Sequence, residues 1–109
     1  MLWAAANAAA GASMTGEMYR AMLDRPEPLD ANGYLEREKA YSYLDGIKDA
    51  SQGRVWCEVG QLKTPDLAYD IADRIGRMQP AERQRSAALI VLDVLRRAYP
   101  CDKSASRKK

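Results

Sequence analysis

The chain has 109 residues, 17 of them basic, 15 acidic and none histidine, for a formal net charge of +2. That length holds one domain with one modest core, and the missing imidazole removes the commonest general base and metal ligand. Lys103, Arg107, Lys108 and Lys109 face Asp102 alone in the last eight residues, so residues 1–101 carry 13 basic and 14 acidic side chains. A body so near neutrality lacks the basic stripe that nucleic acid requires. No apolar run is long enough to span a bilayer. Neither nucleic acid nor membrane is therefore expected as a partner.

Residues 1–13 open with Met1-Leu2-Trp3 and continue as an Ala-rich run interrupted at Asn7. Ala4 to Ser13 is similar to the small-residue region that ends a secretory signal, without the basic start of one. One reading is the remnant of an export signal; the other is an Ala-rich helix that propensity favours. Residues 14–101 read as the folded domain and residues 102–109 as a solvated basic tail.

A first helix is predicted over Gly16–Asp24, with Thr15 as N-cap and Met18, Tyr19, Met22 and Leu23 at helical spacing. Pro26 and Pro28 end it. Asp30-Ala31-Asn32-Gly33 reads as a loop before a second helix, from about Tyr34 to Ala50, with Ala40, Tyr43, Leu44, Ile47 and Ala50 turned inward. Gly46 within it is expected to leave room for a bulky neighbour, with Trp56 as candidate. Ser51-Gln52-Gly53 stops the helix, and Arg54 to Lys63 reads as a pinned loop. Thr64-Pro65-Asp66 then signals a third helix, with Thr64 as N-cap and Pro65 at the first helical position. Its apolar face is Leu67, Ala68, Ile71, Ala72, Ile75 and Met78. Pro80 starts a fourth helix running to about Tyr99, in which Leu89 and Ile90 interrupt a polar stripe of Ser86, Asp93 and Arg97. The fold class expected is all-α, a small bundle of about four helices.

Cys57 and Cys101 both lie where helices end. A bridge between them would close a long loop, worth about 4 kcal/mol in the chain-entropy model as an upper guide. It would persist only in an oxidising compartment. The alternative is a pair of buried free thiols. Catalysis finds little support: a cysteine nucleophile has no histidine to ionise it, and two cysteines do not complete a zinc set. Asp45 with Asp49, and Asp70 with Asp73, share helix faces as ordinary solvated carboxylates do. No catalytic residue, metal ligand or cofactor site is assigned, and the chain reads as a binding module.

Gly33-Tyr34, Tyr43-Leu44-Asp45-Gly46-Ile47-Lys48-Asp49-Ala50, Trp56-Cys57, Pro80 with Arg83, Ala87-Ala88-Leu89-Ile90-Val91-Leu92 and Tyr99-Pro100-Cys101 occur in that order. In this combination the chain resembles the Rap/Tai family of type VI secretion amidase immunity proteins, over roughly Gly16 to Cys101. The resemblance implies a small exported all-α protein of the periplasm, usually a homodimer. It implies a cognate peptidoglycan amidase as partner, whose active-site cleft the protein blocks without catalysis. Contact residues vary with the partner and are not carried over. An inhibitor of this sort needs a surface ordered in advance. The loop offers one in Gln52, Arg54, Glu58, Gln61 and Lys63, and Leu89 with Ile90 is the expected dimer seam. A competing reading is a small periplasmic chaperone of the acid-stress type, which would expose apolar surface at low pH.

Overall fold

The computed structural model of the protein describes residues 14–58, 60 and 62–101. Among them run five helices: α1 (Gly16–Leu23), α2 (Ala31–Ser51), α3 (Thr64–Gly76), α4 (Pro80–Arg83) and α5 (Ala87–Ala98). The chain is the expected all-α bundle, with the last predicted helix divided in two. The Ala-rich segment 1–13 and the basic tail 102–109 lie outside the described residues.

Caps decide where these helices begin. Thr15 accepts a hydrogen bond from the Met18 N–H at 3.1 Å, as its position predicts. The second helix starts earlier than expected, because Asp30 Oδ1 accepts from the Gly33 N–H at 2.7 Å and caps a helix of 21 residues. An Asp in that place satisfies an otherwise orphaned donor, and this outweighs the poor helix propensity of Asn32 and Gly33. Thr64 is not a cap. Lys63 holds that position without a side-chain bond, Pro65 occupies the first turn, and the Thr64 hydroxyl is engaged elsewhere.

The predicted fourth helix breaks after Arg83 for a physical reason. The Gly16 N–H donates to the Arg85 carbonyl at 2.9 Å and the Ala87 N–H to the Met14 carbonyl at 2.8 Å. These ties form an isolated antiparallel bridge between Thr15 and Ser86. Carbonyls and amides used across the bundle cannot also continue a helical ladder. Ser86 then caps α5 with its hydroxyl, accepting from Leu89 N–H at 3.4 Å. Gly16 has to be bare here: a Cβ would stand 2.6 Å from Ile90 Cδ1 and 3.1 Å from the Arg83 carbonyl. Arg83 closes the other side, donating to the carbonyls of Met78 (3.1 Å) and Gly76 (3.2 Å) at the end of α3.

The core is shared by all the longer helices, and α1 packs against α2, α3 and α5. Tyr19, Leu44, Trp56, Ile71, Ile75, Ile90, Val91 and Leu95 are its large members. Full burial of such a side chain contributes about 1.5–3 kcal/mol. The inward face of α3 is as predicted, with Leu67, Ala68, Ile71 and Ile75 buried and Ala72 and Met78 packed against them. Tyr19 donates its hydroxyl to the Ala40 carbonyl at 3.1 Å and lies 5.7 Å, centroid to centroid, from Tyr43. Burial raises the pKa of both phenols, that of Tyr19 well above the ordinary range.

Three expectations fail. Gly46 is exposed with nothing near its missing side chain, so Trp56 does not pack there. Ala50, expected to turn inward, faces solvent. Ile90 is 1 % exposed and belongs to the core, so it has no surface to give to a dimer seam; Leu89, at 54 %, does face out. The buried stripe of α5 is Ala87, Ile90, Val91, Val94 and Leu95, a single i, i+3, i+4 face on which Ile90 rather than Leu89 falls in register.

Candidate partner-binding loop

The connection from α2 to α3 is tied down along most of its length. At its start Gly53, with φ at +85°, takes a left-handed turn that costs a glycine little. That turn lets the Gly53 N–H reach the Trp56 carbonyl at 2.7 Å, while the Arg54 and Val55 amides both donate to the Ser51 carbonyl. Trp56 is fully buried, and its indole N–H donates to Ser51 Oγ at 2.9 Å. The Ser51 hydroxyl in turn donates to the Ile47 carbonyl. A buried polar group with a full set of partners costs little, and a tryptophan so placed fixes the chain on either side of it.

The staple follows directly. Cys57 and Cys101 form a disulfide, with Cα atoms 4.8 Å apart, across a sequence separation of 44. The Cys57 N–H also donates to the Tyr99 carbonyl at 2.9 Å, and the Tyr99 ring meets Trp56 edge-on at 6.2 Å. The end of α5 thus holds the loop covalently, through the backbone and through an aromatic contact.

Of the residues expected to face a partner, Gln52, Arg54, Glu58 and Lys63 are exposed. Gln61 lies outside the described residues. Gln52 Nε2 donates to Glu58 Oε1 at 3.1 Å, and the other carboxylate oxygen accepts from the Leu62 N–H at 3.1 Å. Arg54 donates to the Ala50 carbonyl at 2.9 Å, anchored at the α2 terminus where a cation is favoured. Lys63 stands at the start of α3. Gln52, Arg54 and Glu58 therefore hold the loop in shape, and Arg54 and Glu58 also present charge outward.

Both cysteines are spent in the disulfide. Asp70 and Asp73 each pair with an arginine one turn on, Arg74 at 3.0 Å and Arg77 at 2.6 Å. Among the described residues no group of three or more metal-ligating side chains comes together, and no helix is long and apolar enough to cross a membrane. A cleft of about 460 Å³ opens between α1 and α3, beside Leu23, Tyr69 and Gly76. Its arginines are already neutralised, Arg20 by Glu17 and Asp24 and Arg77 by Asp73, which leaves no free charge to select a ligand.

The sequence reading passed over a second exposed feature. Tyr34 and Tyr69 are about half exposed, and the Arg37 guanidinium lies 5.3 Å from the centre of the Tyr34 ring. Tyrosine and arginine are the residue types that protein interfaces favour. The i, i+3, i+7 spacing of Tyr34, Arg37 and Tyr41 was available in the sequence as a signal.

Residues 12–101 match the family model of the Rap1a immunity proteins. The chain belongs to that family. Effector immunity is the function that membership carries, exercised by binding a cognate effector. A comparison with curated proteins finds no match.

Proposed function

We propose that this Rap1a immunity protein binds a peptidoglycan amidase delivered by type VI secretion and blocks its active-site cleft. The observation that supports the reading is the α2–α3 loop, whose exposed polar residues Gln52, Arg54 and Glu58 flank a segment held by Trp56, the disulfide and the Gln52–Glu58 bond. A cleft filled by a pre-ordered element spares the binding step the cost of ordering it. The disulfide suits the periplasm, where the substrate of such an amidase lies and where thiols stay oxidised. The protein acts there as a homodimer, with exposed Leu89 of α5 in the seam.

The test is a titration of the purified protein into purified peptidoglycan amidases of the type VI secreted class, with hydrolysis of peptidoglycan fragments as readout. The expected result is stoichiometric inhibition, competitive with substrate. Inhibition that leaves substrate binding intact would place the contact away from the cleft, and no inhibition at all would remove the amidase as partner. For the dimer, Leu89→Lys is expected to halve the solution mass; an unchanged mass removes Leu89 from the seam.

A further inference from the structure

The start of the α2–α3 loop is held by backbone turns, a buried tryptophan and a disulfide, but its end has a different fastening. Leu62 has both backbone polar groups bonded to side chains: its N–H donates to Glu58 Oε2, and its carbonyl accepts from Lys48 Nζ at 3.1 Å. Lys48 sits in the last turn of α2. The same ammonium donates at 3.1 Å to Thr64 Oγ1, the first residue of α3. The Thr64 hydroxyl in turn donates a hydrogen bond to Asp45 Oδ1, one turn back along α2. Lys48, Thr64 and Asp45 therefore form one polar chain that ties the last turn of α2 to the first of α3, with Leu62 caught in it.

We infer that Lys48 is a positioning residue for partner binding: it fixes the far end of the loop and so sets where Glu58 and Lys63 stand. Two features support this role over that of a plain surface charge. Lys48 is half-buried, and both of its bonds cross to another part of the chain instead of joining an i, i+4 partner on its own helix. Thr64 has given up the capping role that its sequence position favours in order to receive it. The inference rests on the proposal that the loop meets the partner enzyme, but its first test does not.

Lys48→Met keeps the apolar stem and removes the donors, Lys48→Arg keeps charge and donors, and Thr64→Val breaks the same chain from the other side. In the free protein, hydrogen exchange of peptides spanning residues 52–63, and tryptic cleavage after Arg54 and Lys63, report loop opening. Loss of two charge-assisted bonds should speed both by about tenfold in Lys48→Met, with exchange in α1 and α5 unchanged. Thr64→Val should give a smaller acceleration, and Lys48→Arg should restore most of the protection. Binding to the amidase that the titration above identifies should weaken by about tenfold in Lys48→Met, with the same rescue. A loop that opens no faster without Lys48 overturns the inference, and so does weaker binding with unaltered exchange, which makes Lys48 a direct contact. Faster opening with full affinity overturns it too, because Lys48 then holds a loop that takes no part in binding. Wild-type protein that ignores the amidase defeats the proposed function, while the exchange experiment still decides whether Lys48 holds the loop. If Lys48→Met does not fold, Thr64→Val carries both measurements.

Discussion

Around Tyr19, α1 is held by apolar contact with α2, α3 and α5 and by one buried hydroxyl bond to the Ala40 carbonyl. Around Trp56, a loop between two helices is held by one tryptophan, one disulfide and a few side-chain bonds. The first region is fastened many times over, so a single polar deletion there is shared among neighbours. The second depends on a few specific bonds, so each deletion acts on the shape of the loop. If this contrast is right, the largest losses should come from Trp56 and the disulfide, and polar changes near Tyr19 should be mild.

Trp56→Ala gives the sharpest test. The ring is fully buried, touches Tyr99 and holds Ser51, so its removal should cost about 3–5 kcal/mol of unfolding free energy in chemical denaturation. A loss below about 1 kcal/mol would mean that the loop collapses onto the vacancy and that Trp56 is no anchor. Next comes Cys57→Ser, for which about 2–4 kcal/mol is expected under oxidising conditions. The loop should also exchange faster than α1 or α3 in that variant, since Cys57 is the point where α5 grips it. Uniform acceleration throughout the bundle would break the contrast, because the bridge would then stabilise the whole fold and not the loop in particular.

A milder effect is expected at the other pole. The Tyr19→Phe variant loses one hydrogen bond while its ring stays packed, which should cost about 1 kcal/mol near neutral pH. The pH dependence gives a finer test. Burial raises the Tyr19 pKa above its unfolded value of about 10. The folded state thus keeps a proton that the unfolded chain loses. Stability from this group is complete below about pH 10 and falls as pH rises beyond it. Tyr43 is shifted in the same direction by burial and adds to the slope. Tyr19→Phe should therefore flatten the alkaline fall in unfolding free energy measured from pH 9 to 11. An unchanged slope would mean that Tyr19 is wet.

The sequence made the helices legible where period and cap agreed, and failed where the chain answered to a distant partner. The face of α3 could be read because Leu67, Ala68, Ile71 and Ile75 follow one stripe and Pro65 marks its start. The break before α5 could not, since it depends on Met14 and Gly16 arriving beside Arg85 and Ala87. Ser86 looked like one polar residue in a stripe; only that pairing makes it a cap. Ile90 was misplaced for a related reason, because a continuous helix from Pro80 hides which apolar residues of α5 face Gly16. The loop was visible as an irregular segment, and the disulfide as one of two readings of its cysteine. Its fastening at Lys48 was not visible, since Lys48 and Thr64 are far apart in the chain and each suggests another role locally.

The smallest effect on stability should accompany the largest effect on the partner. Arg54 and Glu58 are exposed, and their bonds stay within the loop or reach the adjoining turn of α2. Arg54→Glu should therefore change unfolding free energy by about 0.5 kcal/mol or less, as exposed substitutions usually do. Glu58→Lys should cost somewhat more, about 1 kcal/mol, because both of its carboxylate bonds are lost. If Arg54 and Glu58 meet the proposed amidase through complementary charge, reversing either one typically slows association and accelerates dissociation. A tenfold or greater rise in Kd is expected for at least one of them, about 1.4 kcal/mol of binding free energy, measured by calorimetry on variants with unchanged circular dichroism. If both reversals bind as the parent does, the exposed Tyr34–Arg37–Tyr69 face becomes the surface to mutate next. A rigid loop that carries no affinity would then be only a connection between two helices.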